Sequence, residues 1–486
     1  MRLLPRRHGL AFLLALAPVT HAPAQQAISA QDKAAGAKAN PQLLAQYGGA
    51  MRGAPADYVT RVARRVAVQS GLSNTQGDFT IALLNTSEEN AFAIPGGYVY
   101  VTRQLLALMN SEAQLASVLG HEVGHVAARH STKRNNRSSI GSVLAAGVGL
   151  LTGSDLLGQA AGYGAQLYTL GYSRSQEYQA DALGVRYITA AGYDPFAAAA
   201  MLDELDAETR LQAELAGRNA NAVPSWARTH PNGPDRVEKA MALAEKTGRT
   251  PPSPDVQDVA FLRMLDGLPY DDDPAQGVVD GRRFRHPPLR IQFDAPAGYT
   301  ITNGADAVTI SGAGTTAAGQ ARFTALPAGT NLAADIDARF AAVAGGRTLS
   351  HDPVRTRRVN GIDIAEATAS GSGATAGGQA VDVTMVTWRG DPKTALGFTL
   401  LTPSGTGIGP FEPLIDSLTR LTPNQAAAIR GKRVRIVTVK AGEGIDQIAP
   451  RMAYADHRRE RFLALNGLAD ADRLRPGQLV KIIAAD

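Results

Sequence analysis

Residues 110–130 read NSEAQLASVLGHEVGHVAARH. Ser111 and Gln114 stand three apart ahead of an apolar run, a capping-box pattern that starts a helix. On that helix His121 and His125 lie one turn apart on one face, with Glu122 beside them. Two imidazoles so spaced hold zinc, and the carboxylate takes a proton from a water that the metal activates. The chain has nine histidines in 486 residues, so the pattern rarely arises by chance. The competing reading, a helix with solvated histidines, lacks support from this helical context.

Two ligands do not complete a site. His130 is carried by the helix, at about 100° per residue, to the face opposite His121. It is expected to interact with the helix dipole at the C-terminal end. The longer motif with a third histidine would place that histidine at Ser131 and a glycine at Ala128, and neither is present. Downstream, SRSQEYQADALGVRYITAAG (173–192) opens with a second capping box, Ser173 to Gln176. Glu177 and Asp181 follow, four apart on one helix face. Beside HEVGH that pair suits a metal-bound carboxylate and a carboxylate behind it. The expected ligands of one Zn2+ per chain are His121, His125 and Glu177, the gluzincin arrangement, with water in the open position. Asp181 is expected to accept from the free ring nitrogen of His121 and so fix its tautomer.

The rest of the chain limits the setting. There is no cysteine, which excludes disulfides, thiolate metal sites and cysteine nucleophiles. The start, MRLLPRRHGLAFLLALAPVTHAPA (1–24), has a basic end, a short apolar run and small residues at a cleavage pattern. It reads as a secretory signal peptide, so the periplasm is the expected location. Its removal lowers the net charge from +5 to +2, which gives no case for nucleic acid. The apolar segment 140–164 is interrupted by Asp155, too soon for a transmembrane helix. A helical hairpin over the active domain, or contact with a membrane surface, suits it better.

The texture predicts a multidomain α+β protein. Residues 50–248 are mostly helical, with strands near 78–86 and 91–102. RTPPSPD opens a linker, 249–279. Residues 280–425 alternate as an antiparallel sheet with helices packed on it, an α/β domain without a catalytic cluster. Residues 432–486 read strand, helix, helix, strand.

The order NAFAIPGGYVYVTRQLL (90–106), HEVGH, SRSQEYQAD and THPNGPDR (229–236) resembles the HtpX-like and CAAX-prenyl-protease-like zinc metallopeptidases, in particular their soluble periplasmic BepA type. The resemblance covers about residues 50–245. It implies a mainly helical zincin-type domain. It also implies that the strand at Asn90, Ala91 and Phe92 is an edge that pairs with an extended substrate. His230 and Arg236 are implied to approach the zinc, where the oxyanion of a cleaving peptide bond needs a positive donor. Pro231 restricts His230 to an extended backbone. From there His230 either donates to the oxyanion or binds zinc and blocks water. The chain departs from the wider family in lacking long membrane spans and a helical-repeat array after the protease.

GEGIDQIA (442–449), Asn466-Gly467-Leu468 and Leu474 to Gln478 resemble a LysM module. That resemblance implies peptidoglycan binding through Gly442, Ile445, Asn466, Pro476 and Gly477. Glu443 and Gly444 stand where such modules usually carry Asp-Thr. The alternative is a small domain kept for packing. The module is expected to be separable from the peptidase. The leading expectation is a zinc endopeptidase acting on unfolded or misassembled envelope proteins, tethered to the cell wall. A hydrolase of peptidoglycan stem peptides is the second reading. A non-enzymatic assembly factor with a vestigial site is the third, and retention of Glu122 argues against it.

Overall fold

A computed structural model describes residues 27–486 except 73–77, 132–170, 216–224, 232, 254–255, 305–306, 313–318, 344–349, 371–374 and 377–378. The expected signal peptide and the apolar segment 140–164 lie outside the described residues. Among the described residues no helix is long and apolar enough to cross a membrane.

The N-terminal body begins with helices α1 (Ala30–Gln46) and α2 (Ala54–Ala67). Strands β1 (Thr80–Leu84), β2 (Ala91–Ile94) and β3 (Tyr98–Thr102) form one sheet in the order β1-β3-β2. β1 runs parallel to β3 and β2 antiparallel to it, which leaves β2 at an edge. Helices α3 (Arg103–Leu108), α4 (Glu112–Ala127), α5 (Arg174–Ala190), α6 (Ala197–Leu215), α7 (Ser225–Thr229) and α8 (Pro234–Glu245) follow.

The two helices that carry the motifs start as their caps dictate. At α5 the Ser173–Gln176 box is reciprocal. At α4 only half of it forms: Ser111 accepts from the Gln114 amide, while Gln114 Oε1 accepts from Asn110 instead. α4 is buried at every position from Gln114 to His125. It can lie against α5 because glycines remove side chains at the crossing. A Cβ on Gly124 would meet the Ala180 carbonyl oxygen at 3.0 Å, and one on Gly184 would meet the His121 amide nitrogen at 3.0 Å. Both obstacles are backbone, which cannot move aside as a side chain would.

The stretch 249–279 is more than a linker. It holds helix α9 (Val259–Leu265), whose Phe261 and Leu265 are fully buried, and strand β4 (Pro269–Tyr270). β4 pairs with strand Lys432–Thr438. The domain between them is therefore an insertion. Its large antiparallel sheet carries the long strands Gln379–Asp391 and Thr394–Pro403. A four-stranded sheet covers one face through Phe284, Phe293, Phe323, Trp388 and Phe398. Helix Leu332–Val343 covers the other through Ile336, Phe340 and Met385.

The C-terminal segment has the expected order: strand Lys432–Thr438, helices Ile445–Ile448 and Arg458–Asn466, and strand Leu479–Ala485. It does not have a core of its own. Val434, Ile448, Phe462, Leu465 and Ile483 belong to the same apolar cluster as Leu105, Leu106, Met109, Phe261 and Leu265. Lys481 seals the junction. It is fully buried, and its Nζ donates to the carbonyls of Ala107, Leu108 and Met109 at 2.7, 2.9 and 2.8 Å. An ammonium at the last carbonyls of a helix meets both the dipole and the unpaired acceptors there. The expectation of a separable module thus fails on packing: its inner face is the outer wall of the N-terminal core.

Removing residues 432–486 should therefore unfold or aggregate the N-terminal body. Lys481→Met, which strands three buried carbonyls, should cost on the order of 3 kcal/mol. Thermal denaturation of the full chain, the deletion and the point variant checks this. A deletion that melts like the full chain would show that the shared core is dispensable.

Candidate metal centre

α4 supplies His121, Glu122 and His125, α5 supplies Glu177 and Asp181, and the turn between α7 and α8 supplies His230. One ligand atom from each of His121, His125, Glu177 and His230 lies within 4.8 Å of all the others. Among the described residues this is the one such cluster, and all four side chains are buried.

The hydrogen bonds set the chemistry. His121 Nδ1 donates to Asp181 Oδ1 at 2.9 Å, which turns Nε2 inward as the atom that a metal can take in exchange for a proton. That Nε2 lies 2.9 Å from His125 Nε2, 3.3 Å from His230 Nδ1 and 3.5 Å from Glu177 Oε2. Three carboxylates, those of Glu122, Glu177 and Asp181, share this buried volume with one fixed cation, Arg236. Buried charge of this kind calls for a partner. A divalent cation among these nitrogens and the Glu177 carboxylate supplies it, so the residues fit zinc.

Protonation follows the same field. Burial alone would depress His121, but its bonds to Asp181 and Glu177 raise it to about 10. Burial would raise Glu177, yet the neighbouring His230 and His121 hold it well below the ordinary carboxylate range. Glu122 goes the other way, raised chiefly by burial. Among the described residues neither of its oxygens has a hydrogen-bond partner. It is a carboxyl group kept free beside the cluster.

Arg236, which the resemblance brings near the zinc, lies behind the cluster on two of its carboxylates. Its Nε and Nη2 grip Asp181 at 2.9 and 2.7 Å, and its Nη1 lies 2.8 Å from Glu177 Oε2. Nη1 also donates to the Pro231 carbonyl at 3.3 Å. The planar fork matches two carboxylates at once and is consumed in doing so. His230 does reach the centre. Its Nδ1 lies 3.3 Å from both Glu177 oxygens, and its Nε2 is 3.5 Å from Glu122 Oε1.

His130 is not on the far side of α4. The helix ends at Ala127, and Arg129 adopts a left-handed φ of 55°. The chain turns back, and His130 Nδ1 comes to 2.8 Å from His125 Nδ1. Two aromatic residues absent from the sequence reading also frame the cluster. Trp226 stacks on His230 at 4.4 Å, and Tyr172 stacks on His125 at 3.8 Å. The available signal was Trp226, four residues before His230 in a chain with only two tryptophans.

The strand residues divide. Asn90 is a tether: its backbone pairs with Thr102, and its side chain accepts from Thr229. Phe92 stacks on Tyr100 at 4.8 Å beneath α1, away from the cluster. Ala91 is fully buried within β2. A shallow cleft lies between the end of β2 and α4, lined by Ile94, Pro95, Gly96, His125 and Val126. In the C-terminal module Ile445 is buried, and the Asn466 amide bonds Phe462 and Lys481 backbone. Gly442, Pro476 and Gly477 stay at the surface.

Residues 54–244 match peptidase family M48. A mitochondrial metalloendopeptidase OMA1 of Schizosaccharomyces pombe is 32% identical over 185 residues, 37% of this chain and 51% of that protein. Beta-barrel assembly-enhancing proteases of Yersinia pestis and Escherichia coli are 27% and 29% identical, over 43% and 39% of this chain and 42% and 39% of theirs. The chain thus spans about half or less of these curated relatives. Over residues 54–244 the chain is thus similar to metalloendopeptidases of the M48 type.

Glu177→Ala should lower zinc occupancy sharply. Asp181→Ala should lower affinity by about 10–100-fold, the usual effect of losing a partner behind a ligand. Chelator competition followed by metal analysis checks both, and full loading of both variants would move the third ligand elsewhere.

Proposed function

We propose that this M48-type zinc metalloendopeptidase domain hydrolyses extended segments of unfolded or misassembled envelope proteins. The observation that carries the reading is the buried carboxyl of Glu122, free of hydrogen bonds, beside the His121, His125 and Glu177 donors. The envelope setting rests on the signal-like start of the chain and on relatives named for beta-barrel assembly.

His121, His125 and Glu177 would hold the zinc. When bound, it acts as a Lewis acid on the scissile carbonyl and makes water nucleophilic near neutral pH. The substrate chain lies extended along the free edge of β2 and takes main-chain hydrogen bonds there. Glu122 accepts a proton from the attacking water. It then returns that proton to the amine nitrogen as the C–N bond breaks. Its raised pKa, set by burial, suits a group that must both take and give a proton. Arg236 touches no reacting atom. It braces Glu177 and Asp181 from behind.

Glu122→Gln keeps the ligands and removes the proton acceptor. Zinc content and melting should be unchanged, while cleavage of an unfolded protein such as casein falls to background. Undiminished cleavage would take Glu122 out of the mechanism.

The His230 Nδ1 within the cluster supports the reading of a fourth ligand, which would exclude water until displaced. His230→Ala should then raise cleavage or produce self-cleavage. A fall of roughly 100–1,000-fold would instead make it an oxyanion donor. Single-turnover kinetics on the same unfolded substrate tells the two apart.

For the C-terminal module, peptidoglycan contact is carried forward only through Gly442, Pro476 and Gly477, its exposed set. Co-sedimentation of the intact chain with peptidoglycan checks it. A chain that stays in the supernatant leaves the module a packing element.

A further inference from the structure

The two imidazoles of HEVGH are not held alike. His121 rests on a carboxylate, Asp181, that also belongs to α5. Behind His125, among the described residues, stands a second imidazole. His130 is almost fully buried, its Nδ1 lies 2.8 Å from His125 Nδ1, and the two rings meet at 69°. Its Nε2 lies 3.1 Å from Gln179 Oε1, again on α5.

The direction of this chain is set at its outer end. The Gln179 carbonyl oxygen can only accept, so His130 Nε2 bears a hydrogen. In a neutral ring His130 Nδ1 is then the acceptor, and His125 Nδ1 must donate to it. That turns the lone pair of His125 Nε2 inward, 2.9 Å from His121 Nε2, where a metal can take it. The ring is also clamped on its flat side by Tyr172, whose hydroxyl lies 3.1 Å from the Oγ of Ser131 in the same turn. A neutral relay has an advantage over a second carboxylate here. The cavity already holds three buried carboxyl groups against one arginine, and a fourth would add desolvation cost without a partner.

We infer that His130, oriented by Gln179, is a positioning residue for the metal, fixing His125 as an Nε2 ligand. The inference rests on the metal-centre reading, and one set of measurements separates the two. The full chain and its variants are loaded with zinc, and affinity is measured by chelator competition. Cobalt is then substituted, and its visible absorption reports the ligand field. His125→Ala is the control: if it binds zinc as tightly as wild type, the metal-centre reading itself is wrong. With that control weakened, His130→Phe, which keeps the ring and loses the hydrogen bonds, should bind zinc about 10–100-fold more weakly. Its cobalt spectrum should shift. Gln179 is exposed, so its variants fold whatever the fate of His130→Phe. Gln179→Leu should weaken zinc several-fold and Gln179→Glu, which still accepts, should restore it. Wild-type affinity and an unshifted spectrum in both His130→Phe and Gln179→Leu would overturn the inference.

Discussion

The close crossing of α4 on α5 is the constraint on which the centre depends. Neither helix carries the site alone. α4 brings the imidazoles and the free carboxyl, and α5 brings Glu177, Asp181 and Gln179, which bind or back them. They meet because Gly124 and Gly184 present bare backbone at the contact, where a methyl group would press on a carbonyl or an amide at 3.0 Å. An interior packed to this density has no slack to absorb such a group. Separation of the helices by a few tenths of an ångström would lengthen several short polar contacts together. Glycine here serves a distance between two helices, and its effect on helix propensity is secondary.

The second constraint is charge. Glu122, Glu177, Asp181 and Arg236 are all removed from water, and a buried ion is tolerated only when paired. Arg236 satisfies two carboxylates in one plane and draws the start of α8 against α5. Glu122 is the exception: it takes no hydrogen bond and has only His230 Nε2 at 3.5 Å beside it. The strongest local bonds in the centre therefore belong to groups that hold, and the weakest to the group that reacts.

Much of this was legible in the residues. The serine caps and the spacing of HEVGH place three groups on α4, and the four-residue spacing of Glu177 and Asp181 places both on the face turned to His121. What the spacing concealed has physical causes. His130 was assigned to the wrong side because a rotation per residue holds only while the helix lasts, and α4 stops at Ala127 before the left-handed Arg129. Arg236 looked like a donor to substrate because its charge was visible and its two acceptors, distant in the chain, were not. The stretch 249–279 opens with prolines that mark a break. Nothing local shows that Phe261 and Leu265 just beyond it will be buried. Pairing of β4 with Lys432–Thr438 spans the whole inserted domain and has no local trace.

The late strand Leu479–Ala485 has a consequence for timing. The peptidase helices are made first, yet their outer wall and the ammonium that closes α3 come from Lys481 and its neighbours. Between them the inserted sheet must also be synthesised. Domains that fold as the chain emerges do so from the N-terminal side, but this one must wait. A protease that acquired its packed centre early would meet its own unfinished, extended segments as substrate. Here the strand that completes the shared core is among the last segments to be made.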